Sequence, residues 1–482
     1  MRNAPSESNI VSLIAVLIAI WIIALIPFAV IGHGFLPPDD ALWHSSKAFS
    51  GKCSSEVLVQ RAEVTMETHP GWDAILGAVH RVTNWDVHSL VLFSVISLFI
   101  LFSIIPIFFL RYPESWLLSM LTISIATPGW FFRLFLGRPY IVTMAAILVM
   151  LFLWPKLKSK KNDYGVLALL TFVIAISTWA HRTWYILLAP VIALLLAREW
   201  RASLRLAISL VAGIFIGSAL TGHPILLMKD TILHLWLVST SCESQGMFVT
   251  ELRPLLCDFG IVVLVAAMLF WRFTRGRWNR AVIDNPIFIL MVLCFIGRLV
   301  TNRIWLDVGI PALAIWIAGE FHDFLDAKMG RRQWNRIFLT VALAGTLYLS
   351  ITSDAGSRWS GRKHQDYLSS EDPTQAGWLP GPGGIIYSDD MGVFFQTVFK
   401  NPTANWRYIL GPESALMPEK DLKILREIQE NRQTYKLFEP WVKKMRPEDR
   451  LIIRGDEDHK PKIPELEWKY AALGTWVGRK SR

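Results

Sequence analysis

The chain has 482 residues, of which 53% are hydrophobic and only 18% charged; its formal net charge is +10 and its mean hydropathy +0.38. Ordinary soluble domains carry about 25% charged residues, so this composition excludes that class and points to a polytopic membrane protein. Four cysteines are too few for a disulfide framework.

Runs of about 20 apolar residues cross the hydrocarbon core as helix, and Ile10 to Ile31 and Ser89 to Leu110 meet that length. Further spans are expected near Ser115 to Phe132, Pro139 to Pro155, Tyr164 to Ala180, Thr183 to Ala197 and Leu204 to Gly222. The series continues with Leu255 to Phe273, Pro286 to Val300, Ile304 to Gly319 and Arg336 to Thr352, about eleven in all. Pro190, Pro286 and Pro311 are compatible with spans where neighbouring helices satisfy the freed backbone groups. The first run is too long for a signal-peptide core and lacks a small-residue cleavage site, so it reads as an uncleaved anchor.

Cytoplasmic loops beside membrane spans retain Lys and Arg. With the N-terminus inside, Lys156, Lys158, Lys160 and Lys161, then Arg198, Arg201 and Arg205, then Arg272, Arg275, Arg277 and Arg280, then Lys328, Arg331, Arg332 and Arg336 fall in every second connection. The positive charge therefore reports topology rather than a nucleic-acid surface. An odd number of spans places the tail on the extracytoplasmic side, as expected for a multi-pass plasma (inner) membrane protein. Cys53, Cys242 and Cys257 fall in or near outside loops, where one bridge and buried free thiols are equally compatible with the sequence, and Cys294 lies inside a span.

The expected organisation is a transmembrane domain over residues 1–352, including an outside loop at 32–87, followed by a soluble extracytoplasmic α/β domain over 353–482. In the first loop, Asp39 or Asp40 is placed to cap a short helix through Phe49, with Leu42, Ala48 and Phe49 placed to lie on a membrane or protein surface, and a second amphipathic piece runs from Trp72 to Val82. A later outside loop holds an apolar helical segment, Ile225 to Val238, suited to the membrane interface. After the Gly/Pro-rich linker Gly377 to Gly384, the tail reads as strands at Ile385 to Ser388, Trp406 to Leu410, Leu451 to Arg454 and Ala471 to Val477. Helices are expected at Asp421 to Glu430 and Tyr435 to Lys444.

Three groups of residues can carry chemistry. Pro37-Pro38-Asp39-Asp40 follows the first span, with His44 four residues beyond Asp40. Asp40 and His44 would share a helix face and jointly bind a metal, or one carboxylate would act as general base on a hydroxyl; an ordinary helix start explains the same letters. Glu67-Thr68-His69-Pro70-Gly71-Trp72-Asp73 offers Glu67 and His69 as metal or acceptor ligands and Trp72 as a stacking surface for a sugar, against a plain turn leading into a helix. Arg133, Arg138, His181, Arg182, Arg298 and Arg303 fall at outer ends of spans. Guanidinium forks there suit a lipid phosphate, although each taken singly can snorkel or pair with an acid such as Asp307. Asp389-Asp390 in the tail reads as a strand-to-helix turn with a cap.

Taken together, the many spans, the inside N-terminus and the acidic pair directly after the first span resemble the GT-C superfamily of integral membrane glycosyltransferases, among them bacterial relatives of protein O-mannosyltransferases and aminoarabinose transferases. Gly137-Arg138-Pro139-Tyr140, opening a span, is similar to family usage, and Glu67 to Trp72 matches in location a lysine/proline-rich element of the family, though not in its letters. A Trp-Trp-Asp-Tyr-Gly motif, which would mark oligosaccharyltransferase catalytic subunits, is absent.

The resemblance implies inverting transfer of a sugar from a polyprenyl-phosphate donor to a hydroxyl of a glycan, lipid or protein acceptor. Asp39, supported or replaced by Asp40, would take the acceptor proton. Arginines such as Arg138, Arg182 and Arg303 would hold the departing lipid phosphate, while Glu67 and His69 would bind a divalent metal or orient the acceptor. No metal is required, because arginine alone neutralises a monophosphate. The competing classes are a transporter or flippase for an anionic lipid or sugar, a surface-polysaccharide polymerase or ligase, and a non-catalytic scaffold.

Overall fold

A computed structural model of the chain describes residues 7–63, 67, 69–159, 163–240, 259–276, 284–329, 334–362, 368–431, 434–472 and 474–481. Cys242, Cys257 and Thr68 lie outside these residues; Cys53 and Cys294 are free thiols, the first exposed and the second buried. The chain divides into two compact units. One comprises Met1–Phe35, Val95–Pro224 and Thr250–Arg362; the other comprises Leu36–Ser94, Ile225–Val249 and Lys363–Arg482.

The first unit is helical. Every apolar stretch expected to span forms helix within the described residues, but among those residues six helices are long and apolar enough to cross a membrane, or seven if the pair Pro113–Ala126 and Pro128–Leu134, bent by 114°, counts as one. Tyr164–Ala180, Trp184–Leu196, Phe259–Thr274 and Pro286–Gly297 are apolar but shorter. The expected count of about eleven is therefore not reached by length alone.

In the helix Glu7–Gly32, Val11, Ala15, Ala19, Ile23, Ile26 and Val30 are buried, while Leu13, Leu17, Trp21 and Phe28 are exposed. A buried stripe at helical spacing on a helix that is apolar all round is the signature of packing against protein on one side and lipid on the other. The helices Tyr164–Ala180 and Trp200–Ala219 approach closely through Gly213 and Gly217. A Cβ on Gly217 would sit 2.4 Å from the Ala175 carbonyl oxygen, and one on Gly213 would sit 2.6 Å from Ile174 Cγ2. This small-xxx-small spacing lets two backbones meet where lipid offers no hydrophobic drive to association.

The second unit contains a five-stranded sheet, β1 Ile385–Tyr387, β2 Arg407–Tyr408, β3 Arg450–Arg454, β4 Leu466–Ala471 and β5 Thr475–Lys480, in the order β2-β1-β3-β5-β4. β1 runs parallel to β2 and β3, while β5 is antiparallel to β3 and β4. The single strand expected over Ala471 to Val477 is instead the end of one strand, a turn and the start of another. Gly474 there takes φ 62°, a left-handed conformation that breaks the extended run and reverses the chain. Asp390 caps the helix Met391–Lys400, accepting from the Gly392 N–H at 2.6 Å, as the strand-to-helix reading expected.

The first loop packs on this sheet domain. Ala41, Leu42, Trp43, Val57 and Leu58 share one core with Phe394, Phe395, Val398, Phe399 and Tyr408, and the Trp43 and Phe394 rings lie 5.2 Å apart. Leu58 bridges to Tyr408 in parallel register, and the Val59 N–H donates to the Tyr408 carbonyl at 2.9 Å, extending the sheet beyond β2. The helix face expected to rest on membrane or protein surface thus rests on the tail.

Candidate active site

The sequence-predicted residues fall into two groups, one in each unit. In the second unit, helix Asp40–Ser50 begins directly after Asp39, which occupies the N-cap position with φ −145° and ψ −132° and makes no side-chain capping hydrogen bond. The Leu42 N–H is bonded to the Asp39 carbonyl instead, at 2.7 Å. Asp39 and Asp40 are both half-buried. An ordinary N-cap aspartate spends its carboxylate on the first turn; this one does not.

His44 is not aimed at Asp40. Its ring is 1% exposed, and Nδ1–H donates to Asp73 Oδ1 at 2.6 Å, across to the helix Pro70–Thr83. One turn further along the same face, Lys47 donates to Asp73 Oδ2 at 2.5 Å and also pairs with Glu67. Glu67 accepts in addition from the Ser54 backbone N–H at 2.6 Å and from the Ser54 hydroxyl. The His69 ring stands 5.0 Å from that of His44. Trp72 is 4% exposed, so its ring presents no open face to a sugar in this arrangement.

Electrostatics explain the compactness of this network. Burial alone would raise the Asp73 pKa, but the Lys47 ammonium and then His44 outweigh it and hold the carboxyl at about 2. Burial would lower Lys47, and the two carboxylates more than compensate, so it is raised. These residues do not fit a divalent metal: the ammonium of Lys47 already bridges Glu67 and Asp73, where such an ion would need both carboxylates. Among the described residues no three His, Cys, Asp or Glu side chains are grouped to hold one.

The second group is in the helical unit and centres on Asp307, 1% exposed. Arg133 donates to Asp307 Oδ1 from Nε at 3.0 Å and from Nη2 at 2.6 Å, and its guanidinium also lies 4.0 Å from the Tyr140 ring centroid. Arg303 donates to Oδ2 at 3.2 Å, and its Nη2 reaches His181 Nε2 at 3.3 Å. A guanidinium only donates, so Nε2 accepts and the imidazole proton is assigned to Nδ1, which stands 2.8 Å from Thr143 Oγ1 and 2.7 Å from Thr183 Oγ1. Two of the six predicted basic residues therefore share one acid, and His181 joins them through Arg303. Arg182 and Arg298 are buried in the same unit and Arg138 is half-buried.

Asp307 sits in a π-helical turn, Trp305–Gly309. Such turns re-aim side chains and recur at functional sites. Gly309 makes this one fit: an added Cβ would stand 2.2 Å from Trp305 Cε3 and 2.9 Å from Cys294 Cβ. Lys47 and the hub role of Asp307 were missed from sequence. The available signal for Lys47 was its spacing, since Asp40, His44 and Lys47 fall at i, i+4 and i+7 on one helix face.

No family model and no curated protein sequence matches the chain. In structure it is similar to ArnT from Cupriavidus metallidurans bound to undecaprenyl phosphate, with a TM-score of 0.56 at 11% identity over 98% of each chain. The apo state of the same ArnT gives a TM-score of 0.52 at 12% identity over 96% of each chain. The chain shares the fold of this ArnT. At this identity the likeness concerns the fold alone, and together with the apolar helices it makes the chain a multi-pass membrane protein.

Proposed function

We propose that this chain is a membrane glycosyltransferase that moves a sugar from a polyprenyl-phosphate carrier to a hydroxyl of a glycan, lipid or protein acceptor. The observation that carries the reading is the buried basic cluster on Asp307, within a fold shared with a protein crystallised with undecaprenyl phosphate. Arg133 and Arg303 gather on one carboxylate in the helical bundle, and guanidinium forks of this kind suit the oxygens of a phosphate. Arg303, whose side chain is 25% exposed, is the member a lipid phosphate can reach; Arg133, at 5%, anchors Asp307 from behind. Arg138, Arg182, Arg298 and His181 are assigned to the same anionic headgroup.

In the proposed reaction Asp39, or Asp40 beside it, removes the proton from the acceptor hydroxyl. The acceptor oxygen forms its bond to the anomeric carbon as the bond from that carbon to the phosphate oxygen breaks, and polyprenyl phosphate leaves with the electron pair. Attack opposite the leaving group inverts the anomeric configuration. The placement of Asp39 and Asp40 at the start of the helix Asp40–Ser50, shortly after the first apolar helix, supports this role. The N-terminus is proposed to be cytoplasmic, and the sheet domain with the first loop extracytoplasmic.

The test supplies membranes containing the protein with radiolabelled polyprenyl-phosphate sugars and candidate acceptors, and scores transferred label. Loss of transfer in a folded Asp39→Asn or Asp40→Asn variant supports the reading and selects the base. Transfer that survives both substitutions removes these acids from the chemistry.

A further inference from the structure

The helix Pro224–Thr240 is amphipathic the wrong way round for a helix in water. Ile225, Ile232, Leu235 and Trp236 are 84%, 59%, 41% and 67% exposed. At about 100° per residue these four fall within an arc of roughly 100°. The opposite arc carries Leu227, Asp230, Thr231 and His234. Leu227, Asp230 and Thr231 are buried at 0%, 3% and 2% exposure, and His234 pairs with Glu413 of the sheet domain. A water-facing helix would be turned over, hiding isoleucine and tryptophan and hydrating the aspartate and histidine.

We infer that the outward face of this helix lies in the bilayer, with Ile225, Ile232, Leu235 and Trp236 among lipid acyl chains and the polar face turned to the sheet domain. Two further features name lipid as the occupant. The preceding helix, Trp200–Ala219, is a candidate membrane span with an exposed apolar stripe at Leu204, Ile208, Val211 and Phe215. From Ala219 the chain has only five residue steps to Pro224, at most about 17 Å, so the helix starts near the end of a span. Lys229 is exposed beside the stripe, where its stem can follow the acyl chains while its ammonium reaches the headgroups. That combination fits a helix lying along the interface rather than crossing it.

The test is spin-label accessibility in lipid nanodiscs, in a full-length background with all four cysteines replaced by serine and labels introduced by Ile232→Cys, Trp236→Cys and, separately, Ile225→Cys. A label introduced by Lys423→Cys, on a helix face of the sheet domain where the lysine side chain is 68% exposed, serves as the water reference. The expected result is a severalfold excess of oxygen over nickel-chelate accessibility at the three helix positions and the reverse at the reference. Nickel-chelate accessibility equal to that of the reference would place the face in water and overturn the inference. Protection from both reagents would mean that protein covers the face, another segment or a second copy, and would overturn it equally. Three label sites keep the test decisive if one variant fails to fold.

Discussion

Lys47 Nζ lies 2.5 Å from Asp73 Oδ2, and with Glu67 it joins two helices and an intervening loop segment through one ammonium group. The lysine side chain is 5% exposed, so this is a buried cation between two acids rather than a surface pair.

Removing the cation leaves the acids facing each other. Breaking a buried pair by deleting one partner costs about 3–5 kcal/mol, so Lys47→Met should lower the unfolding free energy of the loop and sheet unit by an amount of that order. Thermal unfolding of purified protein in detergent measures it; a change below about 1 kcal/mol, the range of exposed pairs, would show that the network carries little stability.

The depressed Asp73 carboxyl gives a pH signature. Its folded pKa of about 2 lies below the ordinary 3.8, so its contribution is complete above about pH 4 and is lost as pH falls through the folded value. The shift corresponds to roughly 2 kcal/mol at neutral pH. The stability difference between wild type and Asp73→Asn should be constant from pH 7 to 5 and narrow below pH 4. A difference that narrows between pH 8 and 6 would assign the effect to a different group.

Asp307 neutralises guanidiniums that the helix bundle has already desolvated. Asp307→Asn should cost several kcal/mol because Arg133, 4% exposed, loses the acid it donates to twice. Gly309→Ala should lower the melting temperature through a different route, overpacking against Trp305 and Cys294, at about 1–3 kcal/mol. A Gly309→Ala protein with unchanged melting would show that the π-helical turn accommodates a side chain.

Arg303 and Arg133 should separate in function. Arg303→Ala is expected to reduce binding of a polyprenyl phosphate, measured by thermal stabilisation on lipid addition, while retaining the fold. Arg133→Ala is expected to destabilise the protein before lipid is added. Equal lipid-induced stabilisation in Arg303→Ala and wild type would dissociate the cluster from phosphate recognition.

By itself the sequence determined the elements whose physics is local. Twenty-residue apolar runs must be helices in a membrane, because lipid satisfies no backbone groups, and short β-rich segments between helix signals marked β1, β2 and β3. It also placed Asp39 and Asp40 at a helix start and gathered the outer basic residues, several of which meet in space. Where the alternation runs through Ala471 to Val477, a pattern of period two did not reveal the turn, since a turn at Gly474 is set by backbone conformation rather than polarity. Tertiary structure alone decided who pairs with whom. His44 turned to Asp73 rather than Asp40, Lys47 bridged residues 20 and 26 positions away, and Asp307 drew in Arg133 from 174 positions away. Charge pairing in a desolvated interior depends on distances of a few ångströms between separate elements, and residue order along a chain does not encode those distances.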